Sequence, residues 1–227
     1  MRPWGFFATL GWGVPIAVTS LIIRDVVSWS VFRTVFLQSP SAQLRPLLLA
    51  DLTTVFVQTA LTLAVVKLRR GFRIADYFAL HLVPWRTALA WIASGIAAAS
   101  LVTIIRRVTN GPAPNIDLFT QDGFTLYLVT IIVLIPISEE LFDRGFILTG
   151  LRETRFRDAL AIPVGAALWA LAHANRAWQG FAALFLLACL LGVTRKSTNS
   201  ILPGVLVHAV QNSLAIGILI VDGVGPI

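Results

Sequence analysis

Apolar residues in this chain come in long blocks, and most reach the length of about twenty residues that a helix needs to cross a bilayer. About seven blocks can be drawn, with six to eight as the range: 5–27, 47–66, 86–105, 124–148, 159–177, 179–194 and 200–221. Only 13% of the residues are charged, against roughly 25% in an average soluble domain. Too few polar side chains remain to cover a water-facing surface, and the mean hydropathy of +0.82 agrees. The expected fold is an all-α, polytopic transmembrane helix bundle. Residues 1–123 are expected to form N-terminal spans with basic loops, and residues 124–227 a separate helical core.

The connections carry the punctuation that stops helices. Ser39-Pro40 and Arg45-Pro46 lie in the first, Lys67 to Arg73 in the second, and Asn110-Gly111-Pro112-Ala113-Pro114-Asn115 in the third. The net charge of +7 is gathered mostly in such loops. That pattern suits cytoplasmic loops and anionic lipid, and no nucleic-acid module accompanies it. The densest cluster, Lys67 to Arg73, sets the cytoplasmic side, so seven spans put the N-terminus inside. The first apolar block is long for a signal-peptide core and reads as a span of an integral membrane protein, expected in a bacterial or archaeal cell membrane. Cys189 stands alone, which leaves it no internal disulfide partner. It reads as a small packing residue.

Ionisable groups inside a bilayer are costly and need a partner or a purpose. The sequence holds three glutamates and three histidines, and two of each fall inside the last four apolar blocks. Glu140 and Arg144 are four apart, so they share a helix face and can pair. Glu139 points about 100° away, free to face a cavity. Trp169 and His173 share a second face, His208 and Asn212 a third. With Arg152, Asp158 and Lys196 as cytoplasmic edges, the rise of about 1.5 Å per residue puts Glu139, His173 and His208 roughly 20, 22 and 18 Å deep. Three helices thus bring polar groups to one level.

Those residue types suit hydrolysis of a peptide bond, which needs a base for water, donors for an oxyanion and a proton for the leaving amine. Glu139 is the candidate base. His173 can orient the water or carry a proton, His208 and Asn212 can donate to the oxyanion, and Glu140 with Arg144 can lock the helix geometry.

At these positions the sequence resembles the CAAX-protease and bacteriocin-processing membrane endopeptidases, the CPBP or Abi family. Glu139, Glu140 and Arg144 match its Glu-Glu-x-x-x-Arg motif. His173 matches Phe-x-x-x-His, with Trp169 in place of the phenylalanine, and His208 with Asn212 matches His-x-x-x-Asn. Phe185 to Gly192 and Thr198-Asn199-Ser200-Ile201-Leu202-Pro203 resemble the family's glycine-rich helix and its small-polar turn, with Ala188 where a glycine is common. The resemblance covers about the last hundred residues. It implies a helical intramembrane protease with a cytosol-accessible cavity and a peptide or protein substrate at the membrane, such as a CAAX-like tail, a bacteriocin leader or a sorting signal. Asp143 departs from the family pattern and adds a like charge one turn from Glu139.

The expected site is metal-free, since no His-Glu-x-x-His is present. The alternative is a zinc ion on Glu139, His173 and His208. Other readings are a non-catalytic immunity or scaffold protein and a proton relay. The chain is short for a transporter and shows no paired broken helices of an inverted repeat. His81 carries no expected chemistry, Asp51 is expected to pair with Arg24 or a neighbouring helix, and Asn175 and Arg176 read first as a simple loop, with the lining of an entrance as the alternative.

Overall fold

The computed structural model describes residues 3–38, 44–69, 71–110, 123–153, 157–173 and 178–223. Pro40, the 111–122 segment, Arg155, Asn175 and Arg176 lie outside the described residues.

A backbone in lipid must satisfy its own hydrogen bonds, which favours helices. Among the described residues there are eight helices and no strand. They are α1 (Phe6–Gln38), α2 (Leu44–Leu68), the short α3 (Ile74–Tyr77), α4 (Trp85–Asn110), α5 (Phe124–Leu151), α6 (Arg157–Ala172), α7 (Trp178–Thr198) and α8 (Leu202–Gly223). Five of them, α1, α2, α4, α5 and α7, are long and apolar enough to cross a membrane. The apolar parts of α6 and α8, Asp158–Ala172 and Leu202–Ile218, are shorter. All seven apolar blocks of the sequence are therefore helical. The fifth block stops early, because His173 N–H turns back to the Ala170 carbonyl and closes α6 there.

The outward faces are apolar, with Val14, Ile22, Val26, Leu101, Ile104 and Leu186 all exposed. A helix that is apolar around its whole circumference suits lipid on one side and protein on the other. Three pairs pack along their lengths: α1 on α2, α6 on α7, and α4 on α8. Helix α5 runs among them and touches α1, α2, α6, α7 and α8. A buried cluster joins Ile16, Val66, Phe78, Phe142, Phe146, Leu151 and Ile201. Phe78 packs against Gly145, where a Cβ would collide with its ring.

Two stretches of α5, Thr130–Leu134 and Glu140–Ile147, are wound as wider π-turns. The sequence reading assumed a regular α-helix there. Pro136 accounts for part of the difference: it has no N–H to give the preceding turn, so the ladder cannot run regularly past it. Such turns occur often at functional sites.

Two turns at one end of the bundle hold each other. The His81 ring bonds the Asn199 carbonyl at 2.8 Å, and Ser200 Oγ donates to the His81 carbonyl at 2.7 Å. Asn199 adopts a left-handed φ of 49°, a conformation asparagine tolerates better than most residues. Its Oδ1 accepts from Arg195 at 3.1 Å. His81 therefore anchors the start of α8.

Candidate active site

The polar residues of α5, α6 and α8 meet beside a cavity of about 1070 Å³. Its wall includes Glu139, Asp143, Trp169, His173, His208 and Asn212, with Gln211 and Ser138 beside them.

The two neighbouring glutamates have different surroundings. Glu140 is fully buried. Its Oε1 lies 3.0 Å from Arg144 Nη1 in an ion pair and 3.2 Å from His208 Nδ1. Arg144 is almost as buried; its second terminal nitrogen donates to the Ala188 carbonyl at 3.4 Å, and its guanidinium lies over the Trp169 ring at 5.5 Å. A buried carboxylate persists only when compensated, and here one arginine and one histidine do so. The other oxygen, Oε2, has no hydrogen-bond partner among the described residues. It faces Gly204 so closely that a Cβ there would stand 2.8 Å away.

Glu139 opens onto the cavity, with 21% of its side chain exposed. The Trp169 indole N–H donates to its Oε2 at 2.6 Å, and His208 Nε2 is 3.9 Å from the same oxygen. One imidazole thus links the glutamates, Nδ1 toward Glu140 and Nε2 toward Glu139. A carboxylate oxygen accepts, so Nδ1 carries the hydrogen and Nε2 is where a proton can come or go. The Trp169 ring packs on both histidines, 4.5 Å from His173 and 5.8 Å from His208 between ring centres.

His173 has its Nδ1 2.9 Å from the Trp169 carbonyl. That carbonyl is released because the His173 N–H has moved to Ala170. The side chain satisfies an end-of-helix carbonyl, fixes its own tautomer, and leaves Nε2 as an acceptor on the cavity wall.

Asn212 also has a structural partner: its Nδ2 donates to the Ile131 carbonyl at 2.8 Å. In the wide turn the N–H of Ile135 goes to Thr130, so Ile131 would next be served by residue 136. Residue 136 is a proline, and the amide of α8 fills the gap. One N–H of Asn212 remains for other use. Asp143 lines the cavity half-buried, while Arg144 pairs with Glu140.

Sequence reasoning therefore found the residues of this cluster but missed several contacts. It treated Trp169 as a mild replacement for phenylalanine, yet the indole N–H that phenylalanine lacks is bonded to Glu139. A buried tryptophan usually finds a partner for that N–H, which was the available signal. It also passed over Gly204 and Gln211, which is buried at the cavity with its Nε2 unbonded among the described residues. Among the described residues, no three His, Cys, Asp or Glu side chains converge as ligands for a metal ion.

Residues 121–214 match the family described as "Type II CAAX prenyl endopeptidase Rce1-like". No curated protein and no solved structure matches the chain. The matched segment contains Glu139, Glu140, Arg144, Trp169, His173, His208 and Asn212, together with all of α5, α6 and α7; α1 to α4 lie outside it. Residues 121–214 are thus similar to the CAAX-protease family in its Rce1-like form, and five of the described helices are long and apolar enough to cross a membrane.

Proposed function

We propose that the protein is an intramembrane endopeptidase that hydrolyses a peptide bond in a membrane-associated substrate, using water activated by Glu139. The observation that carries this reading is the split environment of the glutamate pair. One carboxylate is fully buried on Arg144, and its neighbour faces a large cavity with both histidines packed on its tryptophan partner.

In this reading Glu139 takes a proton from a cavity water as the oxygen attacks the scissile carbonyl. The bare Nε2 of His173 accepts the water's other hydrogen and orients it. His208, once Nε2 carries a proton, and the second N–H of Asn212 are the donors for the oxyanion. The proton held by Glu139 then passes to the leaving amine as the C–N bond breaks. Glu140 and Arg144 touch no reacting atom; they hold His208 by its Nδ1. No step requires a metal. Peptides near the membrane surface, including the CAAX-type tails for which the matched family is described, are the substrate class.

The test is cleavage of a pool of membrane-tethered peptides by protein in nanodiscs, followed by mass spectrometry. Glu139→Gln should lower the rate by 100-fold or more, the scale of a lost general base. Glu140→Gln should lower it less, and a chelator should leave it unchanged. Wild-type folded protein that cleaves nothing in the pool, or Glu139→Gln at full rate, would refute the reading.

A further inference from the structure

The cavity extends beyond Glu139 to α1 and α2, outside the family match, where it reaches a second polar pair. Arg24 on α1 lies with its Nε 3.6 Å from Asp51 Oδ1 on α2, both within membrane spans. Charged groups in such positions mark ligand paths or helix clamps. The geometry distinguishes the two. Asp51 approaches Arg24 at Nε, on one edge of the guanidinium, at 3.6 Å. The two terminal nitrogens form the fork that receives a carboxylate side by side, and the Arg24 side chain is 41% exposed against 16% for Asp51. An arginine that served only to clamp α1 to α2 would be expected to spend that fork on Asp51.

The pair is also near the glutamate site. Asp51 is one helical turn from Val55, whose carbonyl accepts from Ser138 Oγ at 3.3 Å, and Ser138 precedes Glu139. Counted from the helix ends at Leu68 and Leu151, Asp51 and Glu139 lie about 25 and 18 Å along their helices at 1.5 Å per residue. The difference of about 7 Å is the span of roughly two extended residues. The cavity wall on these two helices mixes apolar Leu10, Val14 and Leu21 of α1 with polar Thr54 and Gln58 of α2.

We propose that Arg24, aligned by Asp51, is a carboxylate-binding subsite that holds the C-terminal carboxylate of a peptide lying across Glu139. This rests on the proteolytic reading for its ligand, but its test does not require turnover. Fluorescent N-palmitoylated apolar tetrapeptides ending in a carboxylate or in an amide are titrated onto the Glu139→Gln protein in zwitterionic nanodiscs, with anisotropy as the readout. The carboxylate form should bind about 10–100-fold tighter, the range for charge-assisted hydrogen bonds. Arg24→Gln/Asp51→Asn, which removes both charges together, should abolish that difference and leave the amide's affinity unchanged. Arg24→Lys should retain part of it. Equal affinity for the two ends, including binding of neither, overturns the subsite, as does a double variant that weakens both peptides equally. End discrimination with no cleavage by Glu139-intact protein would leave the subsite standing and remove the protease reading; cleavage indifferent to the peptide end would do the reverse.

Discussion

Replacing Gly204 by alanine would press directly on the buried carboxylate. The new Cβ would stand 2.8 Å from Glu140 Oε2, about 0.6 Å inside an ordinary contact of roughly 3.4 Å between such atoms. A free glutamate would swing aside. Glu140 cannot, because its other oxygen is held by Arg144 at 3.0 Å and His208 at 3.2 Å and the side chain is fully buried. The overlap must be relieved by shifting α8 or by stretching those two contacts, so the change should cost about 1–3 kcal/mol of stability, as overpacking does. It should also slow cleavage about tenfold by moving His208, a barrier change of about 1.4 kcal/mol. Thermal unfolding in detergent and the cleavage rate in nanodiscs measure the two effects. A double-mutant cycle supplies the control: Glu140→Asp withdraws the carboxylate from Gly204, so adding Gly204→Ala in that background should cost less than about 0.5 kcal/mol, near the limit of additivity. Equal costs in both backgrounds would refute the claim that the contact between Gly204 and Glu140 is the cause.

Other substitutions separate the remaining contacts. Trp169→Phe keeps the ring beside both histidines but deletes the N–H on Glu139; turnover should fall about tenfold or more, the worth of a hydrogen bond to a charged group, while the unfolding temperature hardly moves. Asn212→Ala strips the Ile131 carbonyl of its donor beside Pro136, so it should lower stability by about 1–3 kcal/mol, whatever it does to the rate. Tyr77 lies outside the spans, and burial pushes its hydroxyl up to about 12. A folded-state value above the unfolded one means that its share of stability is complete below about pH 10 and is lost as pH rises toward 12. Tyr77→Phe should flatten that part of the stability curve.

The spacing rules that read the sequence work well where a helix is regular and its neighbours are set by period. Trp169 packs on His173 as their four-residue separation allows, and Glu140 and Arg144 form an ion pair even though their stretch of α5 is wound wider. Asp51 meets Arg24 across two helices, one of the two partners open to it from sequence. Contacts that depend on the path of the backbone were not legible. The wide turns of α5 leave no side-chain signature beyond Pro136, and without them the tie between Asn212 and the Ile131 carbonyl has no reason to exist. The link from His208 to Glu140 crosses 68 residues of chain and depends on how closely α8 approaches α5. That approach is set by Gly204, a position that motif spacing ignores. The N-terminal helices were readable as spans, but nothing in their order indicated that α1 and α2 would wall the same cavity as Glu139.

The same 68-residue separation has a consequence during synthesis. A ribosome adding about 5–20 residues per second makes the Glu140 codon roughly 3–14 seconds before the His208 codon. Throughout that interval α5 must enter or wait beside the membrane with Arg144 as the only one of its two finished-state partners already made. An acid and a base one turn apart let Glu140 arrive already paired, with its last partner delivered by α8. Arg144 therefore acts first as an escort for membrane insertion and only afterwards as part of the finished site, so variants at this position should lose protein during biogenesis before any assay of activity can be made.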